Sequence, residues 1–150
     1  MGQNRMIAGL DTNIICYALD ESYPEHELLK GLLLNLSAEN KAALSPTIIH
    51  EAYHVLVFGH KWYPEEAADA LRMLLKNPYT EFYNQTRKIS GMALNLAVKH
   101  NLGGRDALIA ANYLANEVPV FYTLDKALLK LQKITWKNVS LTIKDPLAQK

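Results

Sequence analysis

Residues 118–125 have the sequence Val118-Pro119-Val120-Phe121-Tyr122-Thr123-Leu124-Asp125, and its first part is the clearest strand in the chain. The run from 118 to 122 is continuously apolar, which is typical of a strand buried on both faces in a parallel sheet. Asp125 lies just beyond that strand and opens a short helix. Because ligands bind beyond the carboxyl ends of parallel strands, this stretch predicts an acidic side chain at a functional edge.

The alternation of strand and helix extends along the whole chain. Short apolar runs predict further strands at residues 6–10, 42–45, 80–83 and 139–143. Amphipathic stretches and capping residues predict helices at residues 14–19, 24–36, 46–58, 64–77, 87–100 and 106–116. Short strands that alternate with helices favour an α/β fold with a mostly parallel sheet covered on both sides. At this length we predict one domain, residues 1–150.

The bulk composition restricts the class of protein. The chain has 49% hydrophobic residues, which predicts a sizeable core, and its formal net charge is +1. Such a balance neither indicates nor excludes a nucleic-acid binder, because local patches set the field at a binding site. Cys16 is the lone cysteine and lies in an apolar stretch, so we expect a buried, unreactive thiol in a reducing compartment. No stretch approaches the ~18 apolar residues of a membrane helix, which predicts a soluble, cytoplasmic protein.

Four acidic residues follow or begin these predicted elements. Asp11 comes directly after the first strand, Glu51 lies within the helix after the second, Asp106 begins a helix behind two glycines, and Asp125 follows the clearest strand. Taken singly, each aspartate is explained as a helix N-cap and Glu51 as a solvent-facing glutamate. Taken together, they can reach the same sheet edge, where clustered carboxylates repel one another unless a cation intervenes. The set predicts a site for Mg²⁺ or Mn²⁺, which take oxygen ligands.

The ordered set resembles the motifs of PIN-domain nucleases. The matching segments span essentially the whole chain and are Asp11-Thr12-Asn13, Glu51 behind Ser45-Pro46, the run from Asp106 to Ala111, and Thr123-Leu124-Asp125. The length is similar to that of a stand-alone member such as a VapC-type toxin. The resemblance implies a three-layer α/β/α sandwich with a mostly parallel central sheet. It also implies metal-dependent cleavage of RNA.

By position, the resemblance assigns roles to particular residues. Asp11, Glu51, Asp106 and Asp125 would be the catalytic residues and would hold one or two Mg²⁺ or Mn²⁺ ions. Thr123 would support the site through its hydroxyl, and Asn13 would orient Asp11 or a water molecule.

The substrate and the protein partners are predicted less directly. Arg105 beside Asp106 and Lys126 beside Asp125 are the cations best placed to contact an RNA phosphate. VapC-type proteins are held inactive by an antitoxin, and the family also forms homodimers. The leucine-rich helices that begin at Pro24 and Pro64 could supply part of a dimer surface, although an amphipathic core helix explains most of their leucines. A non-catalytic RNA-binding module of the same fold is the alternative function.

A second motif competes with this interpretation. His50-Glu51-Ala52-Tyr53-His54 has the form H-E-x-x-H, which on a helix can bind Zn²⁺ with the glutamate as general base of a peptidase. His60 lies where the extended motif has its third ligand, but the glycine expected at position 57 is Val57. A zinc peptidase would also leave the three aspartates unexplained. The nuclease is therefore the favoured hypothesis.

Overall fold

A six-stranded sheet forms the centre of the computed structural model, which describes residues 6–148. The strands are β1 (Met6–Leu10), β2 (Asn40–Leu44), β3 (Thr80–Phe82), β4 (Val120–Tyr122), β5 (Lys133–Trp136) and β6 (Val139–Lys144). Their order is β3-β2-β1-β4-β6-β5. Every pairing is parallel except the β5–β6 hairpin at one edge. The predicted mostly parallel sheet is confirmed.

Helices flank this sheet and complete the predicted α/β/α sandwich. They are α1 (Thr12–Leu19), α2 (His26–Leu29), α3 (Gly31–Leu34), α4 (Pro46–His54), α5 (Pro64–Lys76), α6 (Arg87–His100), α7 (Gly104–Ala115) and α8 (Lys126–Leu131). Side-chain caps start several of them where the sequence predicts: Ser45 accepts from Ile48 N–H and begins α4. Within residues 6–148, no helix has the length and apolar character that a bilayer crossing requires.

The structure differs from the predicted elements in two helices and in one strand that was not predicted. The helix expected over residues 24–36 is two short helices, α2 and α3, and Gly31 at the break weakens a helix interior by about 1 kcal/mol. The helix expected over 46–58 changes after His54 into a π-helical turn, Val55–Gly59, in which His60 N–H donates to the Val55 carbonyl. The sequence analysis also missed β5, although Ile134 is buried between exposed neighbours in the alternation typical of a strand.

The packing of α7 on the sheet fixes the position of the acidic edge. Tyr113, which is fully buried, places its hydroxyl 2.9 Å from the Leu10 carbonyl oxygen and 3.0 Å from that of Ala43. Gly9 allows this approach, since a Cβ there would lie 2.5 Å from the Tyr113 ring. β1 and β2 are therefore both hydrogen-bonded, near their carboxyl ends, to the last turn of α7.

Cys16 lies in the core beneath α4, as predicted. Its thiol contacts the Ala52 carbonyl oxygen at 3.7 Å, and burial raises the pKa of the thiol to about 12. The thiol is therefore protonated and unreactive at neutral pH.

Candidate metal centre

Asp11 is the most deeply buried of the four predicted acids. Its backbone N–H donates to the Tyr122 carbonyl, so the residue continues the pairing of β1 with β4 before α1 begins. Its Oδ1 caps α1 by accepting from Thr12 N–H at 2.8 Å, and its Oδ2 accepts from the Thr123 hydroxyl at 2.6 Å. Burial raises the pKa of the Asp11 carboxyl, an effect that these two hydrogen bonds oppose. The side chain is only 9% exposed, so its charge is poorly solvated.

Thr123 connects Asp11 to Asp125. Its hydroxyl donates to Asp11 and accepts from the Asp125 N–H at 3.0 Å. Asp125 in turn caps α8, because its Oδ1 accepts from Ala127 N–H at 2.8 Å and from Leu128 N–H at 3.2 Å. The supporting contact predicted for Thr123 is thus present, and both aspartates are helix caps that also face one cleft.

Glu51 reaches the same cleft from α4. The Thr12 hydroxyl donates to its Oε1 at 2.7 Å, and the Arg105 Nη1 lies 2.8 Å from the same oxygen. From the sequence, Thr12 was named only as part of the Asp11-Thr12-Asn13 motif, and this contact was not predicted. Its position beside Asp11, directly after a strand, was the available signal.

Arg105 lies among the carboxylates, where the sequence analysis predicted a phosphate-binding residue. Besides its contact with Glu51, its Nη1 is 4.0 Å from Asp11 Oδ1 and its Nη2 is 3.2 Å from Asp106 Oδ1. The side chain is 41% exposed, so the guanidinium is at the mouth of the cleft. One cation thus neutralises part of the charge of three acids.

Asp106 shows most clearly that the four acids act on one another. Burial raises the pKa of its carboxyl; Arg105 lowers it, and the charges of Asp125, Asp11 and Glu51 raise it further. Its Oδ1 is buried and receives no aligned hydrogen bond, even though the Arg105 guanidinium is close. A buried carboxylate oxygen without a donor is costly unless a cation contacts it.

The remaining predicted residues, Asn13 and Lys126, are both exposed. Asn13 is exposed and lines a cavity of about 240 Å³ together with three of the acids, Asp11, Glu51 and Asp125, and with Thr12, Val55 and Arg105. Both oxygens of Asp11 accept hydrogen bonds from Thr12 and Thr123, and no hydrogen bond between Asn13 and Asp11 is found within residues 6–148. Orientation of a water molecule by Asn13 stays a prediction. Lys126 is exposed next to Asp125 and forms no ion pair with any residue in the range 6–148.

The donor chemistry of this centre fits a hard divalent cation. All four acids supply oxygen, two of them have a raised pKa, and Asp106 has an oxygen without a donor. The spacing does not form a ready metal site: among residues 6–148, no three acidic, histidine or cysteine side chains are arranged to hold an ion. Arg105 lies between the carboxylates, so its guanidinium occupies the space in which a metal ion would lie.

The H-E-x-x-H motif does not assemble a zinc centre. His50 and His54 are exposed on α4, and the His54 ring packs against Phe58 with centroids 4.8 Å apart. The predicted third ligand, His60, places Nδ1 2.7 Å from Asp20 Oδ2. With Glu51 turned toward Arg105, the geometry gives the zinc peptidase no support.

Comparison with known proteins identifies relatives of this chain. The PIN domain family model matches residues 9–134. The fold is similar to that of VapC20 from Mycobacterium tuberculosis, a Sarcin-Ricin loop cleaving toxin, at 16% identity and a TM-score of 0.69, covering 83% of this chain and 94% of that one. VapBC2 from Rickettsia felis, bound to a DNA fragment from its promoter, is similar at 21% identity and a TM-score of 0.66, with 92% and 98% covered.

A third similar structure is VapBC-1 from nontypeable Haemophilus influenzae, at 18% identity and a TM-score of 0.62, with 95% of this chain and 100% of that chain covered. At such identities the structural likeness shows a shared fold. No curated protein matches the chain in sequence.

Proposed function

The chain belongs to the PIN domain family, and on that basis we propose that it is a metal-dependent endoribonuclease, the toxin of a toxin–antitoxin pair. The observation that carries this proposal is a cavity at the carboxyl edge of β1 and β4 that three carboxylates line, Asp11, Glu51 and Asp125, with the Asp106 carboxylate joined to them through Arg105. An acidic cluster of this kind has a clear use in phosphodiester hydrolysis and no evident structural need, since the caps alone would not require Glu51 or the buried Asp106 oxygen.

Asp11, Glu51, Asp106 and Asp125 would hold one or two Mg²⁺ or Mn²⁺ ions. When bound, the metal would lower the pKa of a water molecule and stabilise charge on the phosphate. The chain itself contributes orientation: Thr123 and Thr12 fix the carboxylates of Asp11 and Glu51 by hydrogen bonds at 2.6 and 2.7 Å. Hydrogen bonds to metal-binding side chains orient them for the ligand geometry that the metal needs.

RNA is the substrate class that the proposal names. Lys126 is exposed next to Asp125 and the Arg105 side chain is 41% exposed at the mouth of the cleft, so both are accessible to RNA phosphates. VapC20, which has a similar fold, is a Sarcin-Ricin loop cleaving toxin. We extend the substrate class, RNA, to this chain, and leave the target sequence to experiment.

An antitoxin and a second copy of the chain are the proposed protein partners, in the cytoplasm. The VapBC structures support the antitoxin by their fold likeness. For the homodimer, Leu71 and Leu74 of α5 are buried in the core, as the amphipathic explanation predicted. Leu28 and Leu34 in the segment after Pro24 are 70% and 74% exposed, and they remain candidates for the dimer surface together with Leu94 and Val98 of α6, at 68% and 86%.

The experiment offers wild-type protein an RNA pool and a DNA pool of the same sequences, each with EDTA, Mg²⁺ or Mn²⁺. We expect cuts in RNA that need Mg²⁺ or Mn²⁺. Asp106→Asn should lose these cuts, and Asp69→Asn, which changes an exposed acid of α5 paired with Arg72, is its matched control and should cleave like wild type. RNA binding without cleavage under any metal would instead favour the non-catalytic RNA-binding module.

A further inference from the structure

Arg105 is the lone cation among the described residues that line the acidic cleft. It contacts Glu51 at 2.8 Å and Asp106 at 3.2 Å, and it approaches Asp11 at 4.0 Å. These are the same side chains proposed to hold the metal. A guanidinium and a hard divalent cation cannot share the inner face of these carboxylates, because each would be placed beside the other's positive charge.

Burial differs between the carboxylates and the Arg105 side chain, and the difference indicates which of them can move. Asp11 is fixed by hydrogen bonds on both carboxylate oxygens, and Asp106 is partly buried at the start of α7. The Arg105 side chain is 41% exposed and is carried by the first turn of α7 at the cleft mouth. Long, exposed arginine side chains change rotamer readily. The arginine can therefore leave while the acids stay in place.

We infer that Arg105 is an internal counter-cation that the metal must displace, and that the displaced guanidinium then binds the substrate phosphate. This inference rests on the proposed function, since it takes the metal site as given. It gives one side chain two successive sets of anionic partners: the carboxylates before metal binding and the phosphodiester after it. Metal binding thereby frees the Arg105 guanidinium to bind the RNA phosphate.

The inference predicts effects of opposite sign on two ligands. Removing the guanidinium removes the competitor, so Arg105→Gln should bind Mn²⁺ about fivefold or more tightly than wild type, as expected for loss of a partly exposed charge-assisted contact. The same variant should bind RNA more weakly in the presence of metal, because a phosphate contact is lost. A residue that acted only on RNA would leave Mn²⁺ affinity unchanged.

The experiment titrates Mn²⁺ into RNA-free protein by calorimetry and by the electron paramagnetic resonance signal of free Mn²⁺. Arg105→Gln is compared with Lys126→Gln, which removes an exposed positive charge beside Asp125 without removing a carboxylate contact. Tightening in Arg105→Gln, with a change below about twofold in Lys126→Gln, is the expected result. Equal tightening in both would show only long-range electrostatics and would overturn the inference, as would unchanged affinity in Arg105→Gln.

Asp106→Asn separates failure of this inference from failure of the proposed function. If wild type binds Mn²⁺ and Asp106→Asn does not, the metal centre stands and the Arg105 comparison decides the inference alone. If no variant binds Mn²⁺, the proposed metal chemistry fails and the inference fails with it.

Thermal unfolding gives a second readout that needs no RNA. In EDTA, Arg105→Gln should melt below wild type, because the carboxylates lose their counter-cation. Added Mn²⁺ should raise its melting temperature by more than it raises that of wild type. A melting temperature in EDTA equal to that of wild type would contradict the counter-cation role.

Discussion

Replacing Thr123 by valine tests the hydrogen-bond network that holds the acidic centre. Thr123 is fully buried, its hydroxyl donates to Asp11 Oδ2 at 2.6 Å, and it accepts from the Asp125 N–H at 3.0 Å. Valine keeps the shape and loses both contacts. A hydrogen bond to a charged group contributes about 1.5–3 kcal/mol, so we expect Thr123→Val to lose about 2–3 kcal/mol of unfolding free energy at pH 7 in EDTA.

Thr123→Ser is the matched control, because it keeps the hydroxyl and removes one buried methyl group. That change should cost about 1 kcal/mol. Urea unfolding of the three proteins, followed by circular dichroism, measures the difference. The destabilisation of Thr123→Val should exceed that of Thr123→Ser by about 1 kcal/mol or more.

The stability difference between the two variants should also depend on pH, which a difference in packing alone would not produce. Burial raises the pKa of Asp11 above its ordinary value, so ionised Asp11 lowers stability above that pKa and the cost is relieved as the pH falls through it. The Thr123 hydroxyl favours the ionised form, so its loss should matter most at pH 7 and less toward pH 4. Equal stability of the valine and serine variants, or a pH-independent difference, would refute the reasoning.

Three further substitutions test the fold and the motif assignments. Gly9→Ala should destabilise the protein by about 1–3 kcal/mol in urea unfolding, since its Cβ would lie 2.5 Å from the Tyr113 ring. The control Gly91→Ala, with open space at its Cβ, should not destabilise it. Equal destabilisation by the two substitutions would contradict the close packing at Gly9. His54→Ala should leave RNA cleavage and metal dependence intact in a gel assay, and joint loss of bound zinc and activity would revive the peptidase. Asp20→Asn should cost about 2 kcal/mol at pH 7. Burial alone would raise the pKa of Asp20, but hydrogen bonds from neighbouring backbone and side-chain groups lower it overall. The contribution of Asp20 to the unfolding free energy is therefore present above pH ~4 and is lost as the pH falls through the folded pKa. A cost of the substitution that is the same at pH 7 and pH 3 would contradict this.

The main features of the fold could be predicted because local and long-range preferences agree. The apolar strand at 118–122 requires burial on both faces, and the residues that follow β1 and β4 must then lie at one edge. The positions of Asp11 and Asp125 follow from chain direction alone. The strand itself proved shorter, Val120–Tyr122, since Pro119 has no N–H to donate to a neighbouring strand.

Side-chain contacts within the site were harder to predict. The contacts of Arg105 depend on which rotamer a long, flexible side chain adopts, and sequence position restricts that little. Thr12 resembles any capping residue until β1 and α4 are brought together. Likewise, the Asp20–His60 contact joins residues 40 positions apart through a π-helical turn that no local pattern indicates.

The most direct test of the central claim is cleavage of a mixed RNA pool by wild type and Asp106→Asn, purified in parallel, with EDTA, Mg²⁺, Mn²⁺ and Zn²⁺. Asp106 has a buried carboxylate oxygen with no aligned donor, so its amide variant should keep the fold and lose the metal. We predict cuts by wild type that require Mg²⁺ or Mn²⁺ and disappear in Asp106→Asn. Cleavage that persists in the folded variant, or that proceeds in EDTA, would contradict a carboxylate-bound metal as the centre of this chemistry.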